Sequence, residues 1–269
     1  MSENETTADD RVDTNEPAIR YEHITKIYPG TGLSITAVKD VSVSIEHNQF
    51  VMFIGSSGGG KTTLLKIANG LIKPTDGDVF YYGKNLKDLD LVQLRRKMGY
   101  AIQGSVLFPH LDVAHNIAYV PHLRNFSKEK VEECVSEALG LVGLDESVLR
   151  KYPHELSGGQ QQRIGIARAI AARPSVLLMD EPFGAVDEIT RRSLQEQIAR
   201  IYKEEGLTVM FVTHDINEAL RLGTKMLIIN DGVVQQYATT EEVLRNPATP
   251  YVKDLTSECE GREIPSLIK

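Results

Sequence analysis

Two hydrophobic rhythms divide the chain. Phe50 to Ile54 and Val176 to Met179 are unbroken apolar runs of strand length, the pattern of strands covered on both faces. Further strands are predicted at Ile35 to Val43, Asp78 to Tyr82, Met98 to Gln103 and Leu207 to Val212. Helices are predicted from Lys61 to near Gly70, Gln160 to Ala171, Glu188 to Glu205 and Ile216 to Leu222. Between Gly104 and Leu156 the rhythm is helical. Ser127 reads as an N-cap, and Val131, Cys134, Val135, Ala138, Leu139 and Val142 follow at three- and four-residue steps. Asp231-Gly232, between Met226 to Asn230 and Val233 to Tyr237, predicts a hairpin. The alternation of strand and helix predicts an α/β fold with a mostly parallel sheet and an inserted helical subdomain.

Composition adds exclusions. A length of 269 residues, 41% hydrophobic and 25% charged, fits a globular protein of one large or two small domains. A net charge of −7 argues against nucleic acid as a partner, which calls for a basic face. No apolar run approaches the ~18 residues of a membrane span, and the N-terminus lacks the form of a signal peptide, so a cytosolic compartment is expected. Residues 1 to 17 are acidic and aperiodic, which predicts a disordered tail. Cys134 and Cys259 have no metal or redox spacing, and Cys134 is expected as a buried, reduced thiol.

The chemistry lies in three stretches. Gly55 to Thr63 (GSSGGGKTT) matches G-x-x-x-x-G-K-[ST], and it follows an apolar strand and precedes a helix. Gly55, Gly58, Gly59 and Gly60 let the backbone curl around phosphate oxygens, with Ser56, Ser57 and Thr63 completing the cradle. Lys61 is placed to reach the β- and γ-phosphates, and Thr62 to ligate Mg²⁺. Val176 to Met179 delivers Asp180 and Glu181 to the C-terminal end of a strand, where open α/β sheets bind ligands. Asp180 is the candidate for Mg²⁺ and Glu181 for the attacking water; an acidic pair in that place also serves as a helix cap. LSGGQ, Leu156 to Gln160, offers the Ser157 hydroxyl, Gly158, Gly159 and Gln160 at the start of a helix whose positive end suits a γ-phosphate, or simply an N-capped helix.

Together these stretches resemble the ATPase subunit of ABC transporters, over about Ile19 to Val252. The resemblance implies a P-loop, RecA-like core with an antiparallel β subdomain and a helical subdomain at about residues 104–160, occupying residues 18–252 and followed by a tail, residues 253–269. It implies ATP and Mg²⁺ held between two copies, the loop of one facing the LSGGQ of the other. It further assigns Gln103 to metal or water and to signalling, His214 to the γ-phosphate and Glu181, and Asp187 to a loop crossing the dimer. Tyr28 is the candidate for stacking on adenine, with Val38 as a second apolar wall. The implied partners are a second copy or paralogue, membrane permease subunits and an extracytoplasmic substrate-binding protein, with the chain peripheral on the cytoplasmic face. Leu107 and Phe108 are candidates for an exposed docking surface, or for core.

RRKMGYAIQGSVLFPH (Arg95 to His110), KYPHELSGGQQQR (Lys151 to Arg163) and LLMDEPFGAVD (Leu177 to Asp187) most resemble importers of osmoprotectants and quaternary amines, such as glycine betaine, choline or carnitine. Related amino-acid importers share much of this wording, and an exporter ATPase is the next alternative. The chain departs from the family in Ser56, where Pro is frequent, in Gly59, where Ser or Cys is frequent, and in Val186 for Leu. It shows no paired CBS domains after residue 252, which puts regulation of that kind in doubt. A chromosome-type relative is disfavoured because Lys61 and Ser157 lie too close in sequence to flank a long coiled coil. A translation-type relative would carry two cassettes. A catalytically dead subunit is disfavoured by the presence of Lys61, Asp180, Glu181 and His214.

Overall fold

The computed structural model describes residues 15–30, 32–104, 106–257 and 266–268. The expected disordered tail, up to residue 14, and Cys259 lie outside the described residues. Strands β1 (Ile19–Tyr28) and β2 (Ile35–Ile45) form an antiparallel pair, after which β3 (Phe50–Gly55) enters a second sheet and runs into α1 (Lys61–Ala68). The chain returns to the first sheet as β4 (Asp76–Tyr81) and β5 (Lys84–Asn85), giving the antiparallel order β2-β1-β4-β5. Next come α2 (Leu91–Lys97) and β6 (Met98–Ala101), then the helical subdomain: α3 (Val113–Leu123), α4 (Lys128–Leu141) and α5 (Gly158–Ile170). The core resumes with β7 (Val176–Asp180), α6 (Glu188–Glu205), β8 (Thr208–Val212), α7 (Ile216–Leu222), β9 (Lys225–Asn230) and β10 (Val233–Thr239), and ends in α8 (Thr240–Arg245) and α9 (Pro250–Ser257).

The second sheet has the order β10-β9-β3-β8-β7-β6, parallel throughout except for β10 on its edge. Strand alternation splits its core into two layers. Phe50, Met52 and Ile54 face the layer that includes the helical subdomain, whereas Val51 and Phe53 face the antiparallel sheet and α1. That double burial accounts for the unbroken apolar runs. The antiparallel sheet is tied to α1 by Tyr21, whose buried phenol donates to the Leu64 carbonyl at 3.0 Å; burial pushes its pKa far up.

Ser127 caps α4 through the Lys130 amide, and Cys134 is buried on that helix. Asp231 (φ 49°) and Gly232 (φ 75°) form the hairpin turn, both in the left-handed conformation that a tight antiparallel connection favours. Several boundaries shift from expectation by one to a few residues, three of them for a visible local reason. β6 stops at Ala101 rather than Gln103, because the chain turns through Gly104 at φ 81°. α5 begins at Gly158, two residues early, because Ser157 caps it. The expected tail begins inside α9, which runs to Ser257, and Leu267 returns to donate its amide to the Arg221 carbonyl of α7 at 2.8 Å.

Candidate functional site

Four parallel strands, β3, β8, β7 and β6, end side by side, and their C-terminal ends assemble the site. At the end of β3, a Cβ on Gly55 would lie 1.8 Å from the Ile229 carbonyl oxygen, and one on Gly60 would lie 2.4 Å from that of Ala37. Only glycine fits these two close approaches, and both have positive φ. Ser57 and Gly58 form the exposed crest of the loop, and Gly59 donates its amide to the Ser56 carbonyl at 3.0 Å.

Lys61 is buried, and its ammonium donates to the carbonyls of Gly55 (2.9 Å) and Ser56 (2.7 Å). Two of its three protons thus brace the loop, and one remains for a ligand. Burial lowers its pKa, against the opposing pull of Glu181 and Asp180. In the first turn of α1, Thr62 donates its hydroxyl to Asp180 Oδ1 at 2.9 Å, with the half-buried Thr63 beside it. Asp180 is 2% exposed, and burial raises its pKa, partly offset by Thr62, Lys66 and Lys61. A buried carboxylate beside a hydroxyl oxygen is a hard donor pair that a divalent cation such as Mg²⁺ would relieve of its desolvation cost.

Glu181 stands where three loops meet. Its φ of 46° is unusual for a residue with a side chain, at a cost of about 1 kcal/mol or more, and its amide is held by the Val212 carbonyl at 3.1 Å. Gln103, just past β6, donates to Glu181 Oε2 at 2.8 Å, while His214 Nδ1 lies 3.6 Å from Oε1. Gln103 and His214 are otherwise exposed, so both remain accessible from solvent.

LSGGQ occupies the start of α5. The Ser157 hydroxyl accepts the Gln160 amide at 3.2 Å, and Gln160 Oε1 accepts the Ser157 amide at 3.0 Å, a reciprocal cap. Gly158 and Gly159 are therefore its first turn, not a lead-in to it, and Gly158 faces solvent. No hydrogen bond among the described residues joins residues 157–160 to the phosphate loop. Asp187 caps α6 through the Thr190 amide at 3.1 Å, which holds its carboxyl below the ordinary range. Tyr28 sits half-buried at the end of β1, with the Lys26 ammonium 5.2 Å from its ring centroid. Val38 is completely buried, close under Gly60, so it supports the loop rather than presenting a wall to solvent.

Leu107 is also buried, and Phe108 is half-buried between Tyr119 and the Arg168 guanidinium. The cause is Asn116, fully buried, which accepts the Phe108 amide and donates to the Phe108, Leu111 and Asp112 carbonyls. The exposed apolar residues of this region are Ile102, Val106 and Tyr119.

Two residues of the site carry little sequence signal. Gln162 hides within Gln160-Gln161-Gln162, yet it is buried; it donates to the Glu181 carbonyl (3.3 Å) and accepts the Ala185 amide (2.8 Å). It ties α5 to the segment following β7. Glu218, in the first turn of α7, is buried and accepts the Thr213 hydroxyl at 2.6 Å and the Gln195 amide at 3.4 Å. Thr213 in turn accepts the Asp215 amide at 3.0 Å, so both neighbours of His214 are pinned. Burial raises the Glu218 pKa, with Thr213 opposing.

Comparison with known proteins agrees with this geometry. A family described as ABC transporter matches residues 38–184. A carnitine transport ATP-binding protein of Listeria monocytogenes is 49% identical over 236 residues, 88% of this chain and 59% of the relative. A glycine betaine uptake system ATP-binding protein of Escherichia coli is 42% identical over 242 residues, 90% of this chain and 77% of the relative. The chain thus spans about three-fifths of the length of several curated relatives it matches. A bacterial ABC transporter cassette solved as a dimer superposes with a TM-score of 0.79 at 35% identity, covering 82% of this chain and 98% of that one. Loop, acidic strand end and capped LSGGQ helix thus occur in one fold with their matching sequence relatives, and the chain belongs to the ABC transporter family of ATP-binding subunits.

Proposed function

We propose that the chain is the ATP-hydrolysing subunit of an importer for osmoprotectants or quaternary amines, and that two copies close over two ATP molecules. The observation that carries the reading is Glu181, held between Gln103 and His214 beside the Thr62–Asp180 pair. Lys61 and the loop amides bind and orient the triphosphate, and α1 adds its positive end. Thr62 and Asp180, with Gln103, are the residues to hold Mg²⁺, which when bound neutralises charge on the phosphates. Glu181 orients the attacking water and accepts its proton, while His214 holds the γ-phosphate side. Ser157, Gly158 and Gly159 serve the phosphates bound by the other copy, since their own loop lies on a different subdomain. Asp187 borders that contact, and Tyr28 stacks on adenine.

The solved dimeric cassette supports the second copy as a partner, and the names of the relatives support the cargo class. No helix among the described residues is long and apolar enough to cross a membrane. In this reading the chain works on the cytoplasmic face, pressing on permease subunits through the exposed surface around Ile102 and Val106, with a substrate-binding protein outside. Reconstitution with the permease and binding protein should give ATP-dependent uptake of glycine betaine, choline or carnitine. ATP turnover accompanied by uptake of an amino acid instead would replace the cargo assignment while leaving the ATPase intact.

A further inference from the structure

The hairpin turn between β9 and β10 reaches under the phosphate loop and joins it to β2. Ser56 donates its hydroxyl to Asn230 Oδ1 at 2.8 Å. Gly232 donates its amide to the Gly59 carbonyl at 3.2 Å, and its own carbonyl accepts the Lys39 amide at 2.8 Å. There is no slack in the joint: a Cβ on Gly232 would lie 2.9 Å from the Ala37 carbonyl oxygen, the same atom that crowds Gly60. The Asn230 amide nitrogen donates to Asp231 Oδ2 at 3.3 Å, which turns Oδ1 toward Ser56. Of these links between the turn and the phosphate loop, the Ser56–Asn230 bond is the one made between side chains, and it acts on the residue whose carbonyl receives Lys61 at 2.7 Å.

We propose that Asn230 is a positioning residue for nucleotide binding, holding Ser56 so that the phosphate loop and the Lys61 ammonium keep their binding geometry before the triphosphate arrives. Asn230 touches no substrate on this account. Its effect runs through Ser56 to the loop carbonyl that orients Lys61, and through the turn to the β2 segment at Ala37 to Lys39. Pre-ordering the loop removes part of the entropy cost of binding, so its loss shows in affinity more than in the chemical step. The inference rests on the reading of Gly55 to Thr63 as the triphosphate site.

The test is a double-mutant cycle in ATP turnover with the full chain. Asn230→Ala and Ser56→Ala should each raise KM for ATP about fivefold, the worth of one such hydrogen bond, with kcat within about twofold of wild type. The double variant should raise KM no further than either single one, because both remove the same bond. Should Asn230→Ala fail to fold, Asn230→Ser, which keeps a polar group at the turn but is too short to reach Ser56, takes its place in the cycle. Unchanged KM in the single variants, or multiplied effects in the double one, would overturn the proposal while wild-type turnover leaves the site reading standing. A wild-type chain that binds no ATP would instead sink the site reading itself.

Discussion

Gln103 donates its amide to Glu181 Oε2 over 2.8 Å, joining the turn beyond β6 to the end of β7. The same turn leads into the helical subdomain, past the exposed Ile102 and Val106. A push on that surface therefore reaches one oxygen of the carboxylate directly, while His214 addresses the other. Gln103→Ala should lower kcat about tenfold or more, the cost of a hydrogen bond to a charged group, with little change in KM for ATP. Steady-state kinetics over a range of ATP concentrations separate the two parameters, and a change confined to KM would assign Gln103 to binding.

Glu181→Gln keeps the shape of the side chain and removes its basicity. Turnover should fall by about 10²- to 10⁴-fold, the usual contribution of a positioned base, with ATP binding retained. Equilibrium binding of a fluorescent ATP analogue alongside a phosphate-release assay checks both halves. Wild-type turnover in this variant would remove Glu181 from the chemistry.

Gln162 has a purely internal task. Replacing it with Leu strands the Glu181 carbonyl and the Ala185 amide, at roughly 1–3 kcal/mol for buried unpaired groups. The melting temperature should drop by several degrees, and kcat should fall with it because Glu181 and its following loop lose their brace. Calorimetry and turnover of the same preparation make the comparison; a loss of stability with full kcat would confine Gln162 to the scaffold.

Glu218 supplies a pH test. Its carboxyl is pushed up by burial, so the folded state favours the protonated form. The stability this group contributes is fully present below its unfolded pKa, about 4.3, and is lost as pH rises through the raised folded value. Glu218→Gln does not titrate. Its melting temperature relative to wild type should therefore increase from about pH 4.5 toward pH 8, with Asp215, Arg191 and His214 as the neighbouring charges. A difference that is flat or shrinks over that range would contradict the assigned shift.

The sequence made some of this site legible and concealed the rest, for physical reasons. The phosphate loop is readable because Gly55 and Gly60 tolerate no side chain and Lys61 follows them at a fixed spacing. Helix α6 was read to the residue, since Asp187 caps one end and Gly206, at φ 62°, terminates the other. The sequence leaves Leu107 open between docking surface and core, and Val38 without a stated exposure, because a single apolar residue carries no period; Asn116 and the close approach of Gly60 decide for burial. Gln162, Glu218 and Asn230 were invisible because each acts across the fold, on partners that lie far away in sequence or look like ordinary polar neighbours.

If the LSGGQ of one copy completes the phosphate loop of another, ATP joins two chains. The most direct measurement is the mass in solution of the Glu181→Gln chain with and without Mg-ATP, by size-exclusion chromatography with light scattering. The expected result is a shift from one chain to two on adding Mg-ATP, abolished when Ser157→Arg is added. An ATP-loaded chain that stays monomeric, or a dimer indifferent to Ser157→Arg, would contradict it.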